Sequence, residues 1–323
     1  MELFSQGRVY NFMSKRNIFI SISLLLIVLS LFSIFTKGFN WGIDFAGGIE
    51  VQVKFNKSVN ISDIRENISK EFKSANITTF GSDKEFLIRI NVKNVSQSLQ
   101  NRIGSEVKKL LSPIGNVDIR RVDIVGSKVG AELREKGISA LIFAIIGILI
   151  YVSFRFEWRF ALASVLALFH DTIISLGAVS AFNVEVNLDV LAAVLTIMGY
   201  SLNDTIVVFD RIREQINKGK SLELSTLINE AISNTLSRTV LTSLTTFFVV
   251  LTLFLFGGEI IKPFSFTLLV GIIVGTYSSI FIASPLLIWL GFKVDDYRKK
   301  LREIQKRKAE KEKIRKMYEG GIV

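Results

Sequence analysis

Six long apolar runs, about Ile18–Phe35, Ile138–Phe154, Phe160–Phe182, Leu188–Phe209, Val240–Phe256 and Phe264–Leu290, constrain this chain more than any other feature. A bilayer core of roughly 30 Å needs about 20 apolar residues at about 1.5 Å rise each. Each run is therefore long enough to span as a helix. The chain has 323 residues, 49% of them hydrophobic, and a mean hydropathy of +0.42, which together exclude an ordinary soluble domain. The first run follows Lys15 and Arg16 as a signal peptide would, but it is long and no small-residue cleavage site follows, so it reads as a retained anchor.

The formal charge of +11 would suit a nucleic-acid binder, yet 12 of the 40 Lys and Arg lie in the last 31 residues. The excess is a tail, so it reads as membrane topology; membrane lipids are expected as partners and nucleic acid is not. Arg8, Lys15, Arg16, Arg155, Arg159, Arg211, Arg213, Lys218, Lys220 and the tail all fall on one side of the six spans. The alternate connections, Asn183–Asn187 and Gly257–Pro263, hold only Lys262. Basic flanks stay inside, which puts both termini in the cytoplasm. The expected organisation is a cytoplasmic N-terminus (1–17), a first span (18–35), an external domain (36–136), spans two to six (137–291) with a cytoplasmic loop over 210–238, and a basic cytoplasmic tail (292–323).

The external segment patterns as a small α+β domain. Ile49, Val51, Val53 and Phe55 alternate as a strand; Ile61, Ile64, Ile68 and Phe72 have helical spacing, with Ser62 as a cap. Strands over Ile77–Phe80 and Glu85–Val92 flank Gly81-Ser82-Asp83-Lys84, which is turn chemistry. A helix over Ser96–Leu111 shows Leu99, Ile103, Val107 and Leu110 on one face, and Val117–Val125 closes as a strand. The order βαββαβ predicts a ferredoxin-like domain between the first two spans. Gly42–Gly48 is glycine-rich but lacks the lysine and following helix of a phosphate loop, so it reads as a turn into the first strand.

An ionisable group inside a span costs about 2.5–3.5 kcal/mol even on the lenient insertion scale, so each one present is a functional candidate. Asp171 falls about 16 Å into the third span, near the midplane; beside it stands His170, the only histidine. Asp204 falls about 24 Å from the outer end of the fourth span, on one stripe with Tyr200, Val208 and Arg211 and next to Asn203. The fifth span opens with Arg238 and continues Thr242, Thr245 and Thr246 as a polar seam, which makes Arg238 a partner for an acid on a neighbouring span. A carboxylate that takes up a proton when its partner is displaced is the simplest proton relay. Asp204, Arg238 and Asp171 are the relay candidates, with His170, Tyr200, Asn203 and Thr242 as accessories.

Each has a bland reading: a hydrogen bond between helices for either acid, packing for His170, and a positive-inside flank for Arg238. Neighbouring helical residues diverge by about 100°, which would point His170 away from Asp171. Gly271, Gly275 and Ser279 form a small-residue packing face in the sixth span, and Pro285 should kink it. Leu222, Leu227, Ile228 and Ile232 suggest an interfacial amphipathic helix over Ser221–Ser233. Zero cysteines exclude disulfides and thiolate sites, and no Walker, Rossmann, zincin or nucleophile-elbow spacing occurs. Neither an enzyme, a metal nor a cofactor beyond protons is expected.

One span, an external domain and five more spans resemble half of an RND-superfamily transporter. Gly42–Gly48, Phe154–Arg159, His170-Asp171, the run Gly199–Glu214, Ser237–Thr239, Phe256–Gly258 and Gly275–Ser279 are similar to the SecF family, over nearly the whole chain. That resemblance implies a subunit acting with SecD, and often YajC, beside the SecYEG channel, with SecA an indirect partner and translocating preproteins as cargo. It further implies a bacterial inner-membrane location and proton flow that drives external-domain movement. The family's buried Asp and its Arg fall on Asp204 and Arg238, and its His-Asp pair on His170 and Asp171. Two other readings remain: an RND-type proton-coupled exporter of small molecules or lipids, and a scaffold for the channel.

Overall fold

The computed structural model describes residues 8–73, 75–90, 97–219, 221 and 223–319. Val92, Ser96, Lys220 and Leu222, which bear on the expectations above, lie outside these residues, as does the Leu99 side chain. Among the described residues six helices are long and apolar enough to cross a membrane. They are α1 (Arg16–Lys37), α5 (Ser127–Arg155), α6 (Trp158–Ala181), α7 (Leu188–Lys218), α8 (Leu224–Phe256), and a sixth in three parts: α9 (Lys262–Ser278), a π-helical turn (Ser279–Ala283) and α10 (Ser284–Trp289). Between α1 and α5 come β1 (Asn40–Trp41), α2 (Ile43–Ala46), β2 (Gly48–Phe55), α3 (Ile61–Ser69), β3 (Asn76–Phe80), β4 (Ser82–Ile90), α4 (Gln97–Leu111) and β5 (Val117–Val125). Later come β6 (Glu185–Val186) and the basic α11 (Val294–Glu319).

The bundle is built around α6, α7 and α9. Helix α7 packs on α6, α8 and α9, while α1 and α5 pack on α6 from outside. Only serines of α1 are buried, Ser23, Ser30 and Ser33; its leucines and the Phe32 and Phe35 rings stay exposed, while Phe19 is half-buried. This is the expected inversion for a helix in lipid, where small residues make the helix contact and large apolar ones meet the hydrocarbon. Gly177 of α6 faces Ser30 so closely that a Cβ there would lie 2.2 Å from the Ser30 Cβ.

Three local expectations are revised. The amphipathic segment is no separate surface helix: α8 runs unbroken from Leu224, with Leu227, Ile228 and Ile232 buried against α7 and the end of the bundle. No Gly or Pro interrupts 224–256, so nothing stops the helix. Asn60, not Ser62, caps α3; its Oδ1 accepts from the Ser62 backbone N–H at 3.2 Å and from the Ser62 hydroxyl at 2.7 Å. Pro285 acts through the π-helical turn preceding α10. Proline lacks the N–H for a regular helical bond, and the Ser284 hydroxyl donates instead to the Ser279 carbonyl, five residues back, at 3.0 Å.

The four longer strands form an antiparallel sheet in the order β3-β4-β2-β5. Alternate residues of β2 and β4, from Ile49 to Phe55 and from Phe86 to Ile90, point into one core with Ile64 and Ile68 of α3 and Ile103, Val107 and Leu111 of α4. Leu111 fills the place expected of Leu110, which is only partly buried. The Gly42–Gly48 turn includes the single helical turn α2. Its Gly47, at φ +73°, abuts the Ser127 backbone where α5 begins. The first sheet, of two strands, pairs β1 with β6 in parallel, Asn40 opposite Glu185, and so ties the entry of the sheet domain to the α6–α7 connection.

Candidate functional site

Among the described residues two acids are buried in the bundle, and they sit in different surroundings. Asp171, on α6, has no exposed surface. Its Oδ1 accepts from His170 Nδ1–H at 2.7 Å, and its Oδ2 accepts from the hydroxyls of Ser278 on α9 (2.7 Å) and Ser201 on α7. Three donors from two neighbouring helices and its own satisfy a carboxylate that hydrocarbon would not solvate. The His170 ring bends back onto its neighbour despite the divergence of adjacent Cα–Cβ bonds; an imidazole is long enough to close that gap. It also stacks against Tyr277, ring centroids 6.3 Å apart, and its Nε2 is buried with no partner among the described residues. The Tyr277 hydroxyl donates to the Phe19 carbonyl of α1 at 2.6 Å and shares a 3.0 Å bond with Ser23. The cluster thus joins α1, α6, α7 and α9.

Asp204, on α7, is 3% exposed and far less supported. Its Oδ2 accepts one long bond, 3.3 Å, from the Ser243 hydroxyl of α8, and Ser243 in turn accepts from Thr276 of α9 at 2.8 Å. A carboxylate with one weak donor in an apolar bundle has little to offset the cost of carrying its charge there. Ser201, which serves Asp171, lies one helical turn before Asp204, so α7 carries both acids' contacts on adjoining turns.

The proposed seam turns outward. Arg238, Thr242 and Thr245 are exposed on α8, and the three threonine hydroxyls bond to carbonyls of their own helix: Thr242 to Arg238 (3.0 Å), Thr245 to Thr242 (2.8 Å) and Thr246 to Thr242 (3.0 Å). Among the described residues Arg238 makes no ion pair within 4 Å, and only its charge, not a contact, reaches Asp204. The Tyr200 hydroxyl reaches Thr246 at 3.5 Å and Asn203 is exposed on the same flank. A polar strip of Tyr200, Asn203, Arg238, Thr242 and Thr245 on an otherwise apolar flank asks for a protein neighbour rather than lipid. Gly271 meets Ile197 and Gly275 meets Ser201, where an added Cβ would lie 2.3 Å and 3.0 Å from the nearest side-chain atom; Ser279 is fully buried in the π-helical turn.

Sequence reasoning did not single out Ser201, Ser243, Thr276, Tyr277 or Ser278 as site residues, although they make most of the acids' contacts. The available signal was hydroxyl residues recurring in spans opposite the acids. Which of them face inward depends on helix rotation, which no local pattern encodes.

Two family descriptions match: "Protein export membrane protein SecD/SecF, C-terminal" over residues 106–293 and "SecD/SecF GG Motif" over residues 32–59. The chain is 48% identical, over the full length of both chains, to a protein translocase subunit SecF of Helicobacter pylori. It is 46% identical to the SecF of Calditerrivibrio nitroreducens over 89% of this chain and 96% of that one. Among solved structures it resembles SecDF from Thermus thermophilus, described as a translocon-associated membrane protein, with TM-score 0.80 and 37% identity over 90% of this chain. A SecDF in a super-membrane-facing form gives TM-score 0.67 at 35% identity over 94% of this chain. The chain spans 40% and 41% of those two longer chains.

Proposed function

Since the chain belongs to the SecF family of multi-pass protein-export membrane proteins, we propose that it works with SecD as a proton-driven subunit that promotes preprotein translocation at the outer face of a bacterial inner membrane. The observation that carries this reading is Asp204, a nearly buried carboxylate with one weak hydroxyl partner beside an outward polar strip. SecD is the neighbour the strip calls for, and the chain matches 40% of a longer solved chain that is described as SecDF. Both termini lie in the cytoplasm on this reading, and the sheet domain lies outside. The strand order β3-β4-β2-β5 with two helices on one face supports a ferredoxin-like domain there. SecYEG, YajC and the emerging preprotein are its further neighbours, SecA acts at a distance, protons are the coupling ion, and the chain carries out no covalent chemistry.

The test is translocation of a preprotein into inverted vesicles at fixed ATP, with and without a proton gradient, from cells with and without this chain. Gradient stimulation should vanish on depletion and return on reconstitution. Stimulation that survives depletion would defeat the coupling role.

Arg238 provides a finer prediction. A lysine keeps the charge but loses the planar fork, so Arg238→Lys should keep part of the gradient stimulation and Arg238→Leu almost none. Wild-type stimulation in Arg238→Leu would reduce Arg238 to a marker of topology.

A further inference from the structure

Among the described residues, one ion pair that the relay does not use joins the sheet domain to the connection between α6 and α7. Arg89, on β4, donates from Nε to Glu50 of β2 at 2.6 Å and from Nη2 to Glu185. Glu185 belongs to β6, at the outer end of the α6–α7 connection. Its backbone is pinned opposite Asn40 by the parallel β1–β6 pair, and the Gly42 N–H donates to the Val186 carbonyl at 2.9 Å. Two residues later α7 begins, capped by Asn187 and by Asp44, whose carboxylate accepts from the Leu188 N–H at 3.0 Å. From Leu188 to Asp204 the same helix is unbroken, about 24 Å. Two clefts between sheet and bundle, of about 420 and 380 Å³, are both lined by Arg89 and Glu185, so the pair stands between them within reach of water.

We propose that Arg89 and Glu185 are the proton-sensitive contact that seats the sheet domain on the outer end of α7, and so couple the position of that domain to the helix bearing Asp204. This rests on the proton-driven reading above and assigns the residues that transmit it.

The sign follows from the surroundings of Glu185. Burial pushes its carboxyl up to about 7; the Arg89 guanidinium opposes this, and the charges of Glu50 on β2 and Asp44 on α2 add to it. The other charged groups lining the clefts are already paired among themselves: Arg121 with Asp123 of β5, and Lys262 of α9 with Glu259. Desolvation therefore outweighs the ion pair, and ionised Glu185 is a cost to the seated arrangement. Once the domain lifts away and water reaches the carboxyl, it returns towards the ordinary value of 4.5. The seated state binds the proton more tightly, so acidification of the outer face from pH 8 to pH 6 favours seating, by about tenfold in the ratio of seated to lifted domain.

The chain has no cysteine, which makes spin labelling at two introduced sites direct. Labels at Lys84→Cys, exposed in the β3–β4 hairpin, and Leu255→Cys, exposed near the outer end of α8, report the distance between domain and bundle for the full chain in lipid nanodiscs. The short-distance population should grow as pH falls from 8 to 6. Glu185→Gln, which mimics the neutral carboxyl, should be seated at both pH values. Glu50→Gln removes a charge that raises the Glu185 carboxyl, so the titration should persist with its midpoint moved to lower pH, a shift that misfolding does not produce. In inverted vesicles, Glu185→Gln should also lose the dependence of gradient-stimulated translocation on lumenal pH. Distances that ignore pH in the wild type, or a Glu185→Gln protein that titrates like the wild type, would overturn the proposal. Because the distances are read without translocation, an Asp204→Asn protein that kept its gradient stimulation would sink the relay while leaving this titration standing.

Discussion

Asp204→Asn is expected to abolish the proton-gradient stimulation of translocation while ATP-driven translocation continues at the rate of vesicles lacking the chain. The substitution is nearly isosteric, and an amide oxygen still accepts from Ser243, so packing of α7 on α8 and α9 is kept. What is lost is the ability to take up and release a proton. Asp204→Glu keeps that ability but moves the carboxyl one methylene further along, away from the Ser243–Thr276 pair, and should restore only part of the stimulation. Ser243→Ala removes a bond that is long to begin with and leaves Thr276 without its acceptor on α8; a modest loss is expected. The measurement is preprotein protected in inverted vesicles, with and without a gradient, at one ATP concentration. Undiminished stimulation in Asp204→Asn would remove the relay from the reading and leave a scaffold.

Gly177→Leu should detach α1 from the bundle. A Cβ at Gly177 would lie 2.2 Å from the Ser30 Cβ and 2.6 Å from its Cα, and a backbone atom cannot rotate aside as a side-chain tip can. Overpacking costs about 1–3 kcal/mol in cores that can adjust, and here the helices themselves must part. The other contacts of α1 are few and local: the 3.1 Å Ser33–Ser180 bond, the Tyr277 contacts to Ser23 and Phe19, the Phe19 ring stacked on Phe281, and Lys37 on the Ala181 carbonyl. Replacing Ser33 and Ser180 with cysteine gives a cross-link that reads this interface. It should form readily in the otherwise wild-type chain and fail in Gly177→Leu. Gly147→Ala is the control, since an added Cβ there meets nothing within 4 Å. Cross-linking of the leucine variant at the wild-type rate would mean that α1 is held by contacts other than this close approach.

The legible part of this protein was the part encoded by local period and by cost. Span length follows from bilayer thickness, and the six runs lie within helices α1, α5, α6, α7, α8 and α9–α10, apart from a residue or so at their ends. Alternation at Ile49, Val51, Val53 and Phe55 marked β2 because successive strand residues face opposite sides. Asp171 and Asp204 stood out because a carboxylate in a span is expensive whatever surrounds it.

The partners of those acids were not legible. Ser278 lies 107 residues from Asp171 and Ser201 lies 30, and only the rotation of α7 and α9 about their axes turns those hydroxyls inward and the Thr242–Thr245 strip outward. The continuity of α8 was hidden because a polar beginning on an apolar helix looks like a boundary, although no residue in it breaks a helix. By itself, then, the sequence determined six spans, a four-stranded α+β domain after the first, and two acids with no solvent to hold them. Tertiary structure alone decided that Asp171 is fully satisfied and Asp204 barely so, and that Arg89 meets Glu185 across 96 residues of chain. Period and cost are properties of one segment, whereas hydrogen bonds and desolvation depend on what another segment places opposite it.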